Sequence, residues 1–326
     1  MRPEISVVIP VFNSEGNLAP LCAQIAEALA GIRHEVLLVD DRSRDRSWEV
    51  IREIAGRTPE VTGIRLRKNS GQDNAIMAGL RSARGNYIVV MDDDLQHSPA
   101  DIPALYRECA KGFDVCYAKF SVKRQAAWKN AGSWLNGKTA EVLIGKPPGI
   151  YLSPFKVVAR GVVREIVRYR GPFPYIDGLI FMITSNITQI ESVAHHERLA
   201  GESNYTLWRS VKVFLKLATN FSALPLRAAA VLGFACALLG FVLTAYFLAE
   251  YLVTEKVPEG WTSLVLINLF FFGVTLIAIG LVGEYVGRLF VHANRSANVF
   301  SVAERTGLSL DRDGARPENH PPVSRE

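Results

Sequence analysis

The stretch Tyr87-Ile88-Val89-Val90-Met91-Asp92-Asp93-Asp94-Leu95-Gln96 decides how this chain is read. An aromatic and β-branched run leads straight into three carboxylates, the pattern of a buried strand whose end opens onto a ligand. Hard divalent cations take oxygen donors, and Mg2+ or Mn2+ uses one or two carboxylates while leaving its other positions to water and substrate phosphates. Side chains alternate along an extended segment, so Asp92 and Asp94 are expected to share one face and Asp93 to point elsewhere. In isolation an acidic triplet also suits a solvated turn, and the flanking sequence decides between the two readings.

Upstream, Ile5-Ser6-Val7-Val8-Ile9-Pro10-Val11-Phe12-Asn13 reads as a buried strand entering a loop. A helical stretch from Leu18 to Gly31 follows. A second apolar strand, Glu35-Val36-Leu37-Leu38-Val39, then ends in Asp40-Asp41-Arg42-Ser43. Strand, helix and strand, with a polar loop after each strand, indicate an α/β fold with a mostly parallel sheet. Ligands of open α/β sheets bind at the carboxyl ends of the strands, where Asn13, Asp41 and residues 92–94 converge.

These residues resemble the family 2 glycosyltransferases with a GT-A fold. The resemblance is carried by Pro10-Val11-Phe12-Asn13, Val39-Asp40-Asp41-Arg42-Ser43, Asn69-Ser70-Gly71-Gln72 with Ala75, Gly85-Asn86, and Asp92-Asp93-Asp94-Leu95-Gln96. It implies a nucleotide-sugar site built from Pro10, Phe12, Asn13, Asp41, Gln72, Asp92 and Asp93. It also implies Mg2+ or Mn2+ on Asp92 and Asp94, which then count as catalytic.

Composition fits an enzyme attached to a membrane: 326 residues, 49% hydrophobic, formal charge +5. No signal-peptide pattern precedes Ile5, so the catalytic half is expected in the cytoplasm. Cys22, Cys109, Cys116 and Cys236 lack metal-ligand spacing and read as reduced packing residues. Residues 228–249 contain no charge and as a helix would run about 33 Å, enough for a hydrocarbon core of about 30 Å. A second such stretch covers 263–283, with 250–262 as the outer loop. Arg209, Lys212, Lys216 and Arg227 precede the first stretch and Arg288 and Arg295 follow the second, against one lysine, Lys256, between them. Both termini are therefore expected on the cytoplasmic side of the inner membrane. Residues 205–227 form a juxtamembrane amphipathic segment, and 121–144 is a second candidate for interfacial helices. The tail, 284–326, is expected to be disordered from about 303. The positive charge suits an anionic lipid surface, and no nucleic-acid motif accompanies it.

This two-span plan narrows the resemblance to the polyprenyl-phosphate glycosyltransferases, which include dolichyl-phosphate mannose synthases and undecaprenyl-phosphate aminoarabinose transferases. Further matches are His195-His196-Glu197-Arg198, Gly201-Glu202-Ser203-Asn204-Tyr205, Leu224-Pro225-Leu226-Arg227 and residues 280–288. The domain plan is then a GT-A domain over residues 1–204 followed by the membrane part. The implied reaction is inverting transfer of one sugar from a nucleotide diphosphate, UDP favoured over GDP, to an undecaprenyl-type phosphate for cell-envelope glycan modification. Arg198, Lys156, Ser203 and Tyr205 are the expected lipid-phosphate contacts, with Arg198 also catalytic, and relatives suggest a homo-oligomer, a tetramer. The chain departs from the group where Ile150 stands at a usually acidic position, Asn204 at a usual lysine and Arg42 at a usual glycine. Asp177 is the candidate replacement carboxylate near the acceptor. A phosphate monoester has a second pKa of about 6 and is largely dianionic at neutral pH, so it needs positioning more than deprotonation. Two other readings are a processive polysaccharide synthase, which lacks its Q-x-x-R-W motif here, and a non-catalytic membrane scaffold.

Overall fold

The computed structural model describes residues 2–119, 147–171, 174–191, 224–254, 260–294 and 300–308. Within them the elements run β1 (Ile5–Val11), α1 (Leu18–Ala28), β2 (His34–Asp40), α2 (Ser47–Arg57), β3 (Val61–Leu66), α3 (Gln72–Ser82), β4 (Tyr87–Val90), a 3-10 turn (Pro99–Asp101) and α4 (Ile102–Cys109). They continue with β5 (Val115–Lys119), β6 (Lys156–Ala159), α5 (Arg160–Ile166), α6 (Ile176–Ile183), β7 (Ile187–Glu191), α7 (Leu224–Thr254), α8 (Trp261–Asn294) and β8 (Val302–Thr306). The chain divides into two compact units, the second of which holds α7 and α8.

In the first unit the eight strands form one sheet in the order β7-β5-β6-β4-β1-β2-β3-β8. The expected parallel sheet is present as β3-β2-β1-β4, but the whole is mixed: β6 pairs antiparallel with both β4 and β5, and β8 antiparallel with β3. Every residue of β1 is buried, as a central strand covered on both faces requires. One face packs Leu18, Leu21 and Ile25 of α1 against Val7 and Ile9, and the other packs Ala75, Ala78 and Leu80 of α3 against Val8 and Val90. A Cβ added at Gly79 would collide with Val8 Cγ1, so only glycine lets α3 lie this close to the sheet.

At the amino ends of the strands a buried network sets the register. Ser6 Oγ donates to Glu35 (2.6 Å) and accepts from the Gly85 N–H (2.7 Å), while Arg84 reaches Glu35 through its N–H (2.7 Å) and Nε (3.0 Å). The carboxyl ends are thereby left to the loops.

The tail corrects an expectation. Composition predicts disorder from about 303, yet Val302–Thr306 forms β8 on the edge of β3, with Phe300 buried in the core. Five residues are too few to show a period against a polar background. Their order comes from the open edge of β3, which sequence composition does not display.

The second unit is described through α7 and α8, of 31 and 34 residues, which pack against one another. The two long helices contain the apolar stretches 228–249 and 263–283. Among the described residues one stretch, Phe270–Gly287 in α8, is long and apolar enough to cross a membrane, and none of it is buried. Residues 121–144 and most of 205–227 lie outside the described residues. Of the cysteines, Cys109 and Cys116 are buried, unbridged thiols pushed up to about 12 by burial, in keeping with packing roles.

Candidate functional site

Four parallel strands end on the same side of the sheet, and their loops close around a cavity of about 360 Å³. It is lined by Pro10, Val11 and Phe12 after β1, Asp41 after β2, Asn69, Gly71 and Gln72 after β3, and Asp92, Asp93 and Asp94 after β4. Seven residues expected from sequence at the donor and metal site (Pro10, Phe12, Asp41, Gln72, Asp92, Asp93, Asp94) thus meet in one place.

The aspartates differ from the expected alternation. Strand β4 stops at Val90, two residues before Asp92, so no pleat runs through the triplet and all three residues line the same cavity. Leu95 makes the turn with φ +58°, a left-handed conformation costly for a bulky side chain, and its contact with the apolar core offsets that cost. Asp92 Oδ1 accepts from Gln72 Nε2 at 2.7 Å, and Asp94 Oδ1 from the Gln96 N–H at 3.1 Å. Asp93 reaches across to the β1 loop, where its Oδ2 accepts from the Phe12 N–H at 3.2 Å. Burial raises the Asp93 pKa, partly countered by hydrogen bonds from Ser14 and Phe12.

Asp41 is buried and uses both carboxylate oxygens on the next loop: Ser70 N–H donates to Oδ1 (2.7 Å) and Gly71 N–H to Oδ2 (2.8 Å). Burial raises its pKa, with the two N–H donors opposing. Its neighbour Asp40 is buried against Arg65 (3.0 Å) and caps the Ser43 N–H (2.9 Å). Asn13, expected to touch the donor, staples two loops instead of lining the cavity: its N–H donates to Ser43 Oγ (3.0 Å) and its Oδ1 accepts from the Arg44 N–H (2.8 Å). Asn69, which the sequence marks only as part of a motif, lines the cavity and donates to the Asp41 carbonyl at 3.2 Å.

Lys156 and Asp177 pair with each other and are not among the residues lining the cavity. Lys156 sits in β6 beside Val90 and Tyr117 of the neighbouring strands, and its side chain is 4% exposed. Its ammonium forms an ion pair with Asp177 in the first turn of α6, and Tyr117 Oη donates to the same carboxylate oxygen at 2.7 Å. The Lys156 Nζ also stands 5.2 Å from the Tyr117 ring centroid. Ile150 packs against the core, which an acidic side chain could not do unpaired. Arg198, Ser203 and Tyr205 lie outside the described residues.

Oxygen donors in pairs, with phosphate to complete the shell, is the donor chemistry that Mg2+ or Mn2+ accepts, and Asp92 and Asp94 fit it. Among the described residues no group of three or more His, Cys, Asp or Glu side chains forms a closed metal cage. A cation held by Asp92 and Asp94 would leave its other positions to water and substrate phosphates.

The glycosyl transferase family 2 profile matches residues 6–167. An undecaprenyl-phosphate 4-deoxy-4-formamido-L-arabinose transferase of Pseudomonas paraeruginosa is 33% identical over 291 residues, covering 88% of this chain and 86% of that one. The chain belongs to glycosyl transferase family 2. Two further relatives are similar over nearly their whole length. The uncharacterized glycosyltransferase YkcC of Bacillus subtilis is 32% identical, covering 89% of this chain and 90% of its own. An undecaprenyl-phosphate 4-deoxy-4-formamido-L-arabinose transferase of Aeromonas hydrophila is also 32% identical, covering 91% and 92%. Among solved structures, glucosyl-3-phosphoglycerate synthase from Mycobacterium tuberculosis, in complex with Mn2+, uridine diphosphate and phosphoglyceric acid, is 17% identical. It covers 67% of this chain and 76% of that one at a TM-score of 0.49. As a family 2 member the chain is a glycosyltransferase, and the profile takes in every residue lining the cavity.

Proposed function

We propose that this glycosyltransferase moves a single sugar, with inversion, from a nucleotide diphosphate to a polyprenyl phosphate at the cytoplasmic membrane face. The observation that carries the reading is the convergence of Asp41, Gln72, Asp92, Asp93 and Asp94 on one cavity at the carboxyl ends of the parallel strands. Its acceptor is suggested by relatives named as undecaprenyl-phosphate transferases over most of both chains.

When bound, Mg2+ or Mn2+ would supply Lewis-acid stabilisation of the departing nucleotide diphosphate. Asp92 and Asp94 would hold it, and the Gln72 amide fixes the Asp92 carboxylate by its 2.7 Å bond. Asp93 keeps the loop after β1 closed over the donor through the Phe12 N–H. The loop at 69–71, held by Asp41, forms the opposite wall for the nucleotide, UDP in preference to GDP. The acceptor phosphate, dianionic at neutral pH, attacks as its own nucleophile and needs cations to align it. Arg198 is the residue proposed to supply that alignment, with Ser203 and Tyr205 as further phosphate contacts. Asp177 is engaged by Lys156 and Tyr117, so its part is to hold Lys156 rather than to remove a proton.

Helices α7 and α8 are proposed as two membrane spans with both ends cytoplasmic. Support comes from exposed Phe234, Phe241 and Tyr246 on α7 and Phe270, Phe272 and Ile277 on α8, and from the basic residues flanking them. Cysteine labelling from outside intact cells should reach a Cys placed at Glu259 and miss one at Asp311, and the opposite pattern overturns the orientation. For the chemistry, the purified chain is incubated with labelled UDP- and GDP-sugars, Mn2+ and undecaprenyl phosphate. Monoglycosylated lipid is expected, whereas polymer or no product refutes the proposal.

A further inference from the structure

The loop at 69–71 is gripped from a distant part of the chain. Strand β8 pairs with β3 up to Leu66 opposite Val302, and the grip continues past the ladder. The Arg67 N–H donates to the Ser301 carbonyl at 2.8 Å, and Arg67 Nε to Ser301 Oγ at 3.1 Å. Two residues later the chain reaches Asn69, Ser70 and Gly71, the segment that contacts Asp41. On the far side of that segment, Phe300 is 7% exposed in the core cluster shared with α3, and the Arg81 guanidinium of α3 stands 4.8 Å over its ring. Helix α3 begins with Gln72, the partner of Asp92. Residues 300–301 thus contact both the strand that enters the loop and, at Arg81 in its last turn, the helix that leaves it.

We propose that residues 300–306 are a positioning strap for the donor loop, setting its geometry for nucleotide binding; this rests on the donor site proposed under the function. A strand that merely covered the edge of β3 would need nothing beyond the ladder. Here the additional contacts fall at the carboxyl end of β3, on the side of the cavity. At the opposite end the fit is close as well, because a Cβ on Gly63 would stand 2.7 Å from Thr306 Cγ2. A side chain at position 63 would collide first with Ile51 of α2, 2.4 Å away, and also with the strap.

The test uses the full chain with Phe300→Ala, and Phe300→Leu as the milder replacement should the first not fold. Arg52→Ala is the control, since it loses only an exposed 3.9 Å ion pair with Glu304. Two quantities are read: amide hydrogen exchange at Ser70 and Gly71, and the Kd for UDP with Mn2+. The strap role requires exchange at those two amides to accelerate by about tenfold or more in the Phe300 variants. It also requires the Kd to rise about fivefold or more, and KM for the sugar nucleotide to rise while kcat stays within about twofold. The control should match the parent in all of these. Unchanged exchange at Ser70 and Gly71, or an unchanged Kd with a lowered Tm, reduces residues 300–306 to an edge cover and overturns the proposal. A parent protein that binds no UDP or other nucleotide overturns the donor reading and the strap's role with it, a result distinct from failure in the variants alone.

Discussion

Replacing Asp41 with alanine removes the acceptor of two backbone N–H groups, at 2.7 and 2.8 Å, that hold the loop after β3 in place. Gly71 is solvent-exposed and Ser70 half-buried, so water takes over part of the lost bonding, and the stability cost stays near ~1–2 kcal/mol in all. The larger effect falls on binding. Fixing the backbone of one residue costs about 1 kcal/mol, so a loop of three residues that must be ordered by the donor costs about 3 kcal/mol, or about two powers of ten in Kd. Asp41→Ala should approach that limit. Asp41→Asn keeps one acceptor oxygen but turns an NH2 group towards the other N–H, and should weaken binding about tenfold. The assay is calorimetric titration of UDP with Mn2+, with Tm followed in parallel. An Asp41→Ala protein that binds within about twofold of the parent refutes the reasoning. The pH dependence has a definite sign. Burial raises the Asp41 pKa, so its contribution to folding is fully present below the unfolded value and is lost as pH rises through the folded value. Donor affinity runs the other way, because the ionised carboxylate holds the loop. It should fall on the acid side at a pH above the ordinary aspartate value of about 3.9, with that limb absent in Asp41→Asn.

Asp177→Asn should destabilise the fold by about 3–5 kcal/mol in urea unfolding, because it leaves the buried Lys156 ammonium without its counter-charge, and Lys156→Met combined with Asp177→Leu should recover most of the loss. Additive losses in the double variant would mean that the pair does not act as a unit. Asp94→Asn should abolish transfer with Tm unchanged, and chelation of the parent should reproduce the loss and added Mn2+ reverse it; metal-independent turnover in either case removes Asp94 from a metal site. Arg42→Gly should be neutral or stabilise by up to about 1 kcal/mol by thermal unfolding, since Arg42 is exposed with φ +62°, and a clear loss would show that its side chain carries a contact.

The strand ends are legible in the sequence because apolar runs giving way to Phe12-Asn13, Asp40-Asp41 and the 92–94 triplet are local signals, although Pro10 lies within β1 rather than ending it, and the structure gathers their loops at one cavity. Gln72 beside Asp92 and Asn69 beside Asp41 come only with coordinates, since a side chain reaching another loop leaves no periodic trace. Alternation carried through residues 92–94 fails because it continues past the strand end at Val90. Antiparallel β6 is hidden for a different reason. A four-residue strand takes its direction from its neighbours, and nothing in Lys156–Ala159 announces which way it will run. The ion pair of Lys156 with Asp177 likewise joins two residues that the sequence points to the acceptor separately.

The pairing of Arg67 with Ser301 joins positions 234 residues apart. At synthesis rates of about 5–20 residues per second, the edge of β3 emerges roughly 10–50 s before the segment that covers it. Both long apolar helices are made in that interval. The catalytic sheet can therefore be completed only after α7 and α8 have left the ribosome, and until then β3 offers an open hydrogen-bonding edge to any other strand nearby. Messages truncated anywhere within the helices would release a sheet whose edge can never be covered, a species prone to pair with its own copies and to be cleared before it meets substrate.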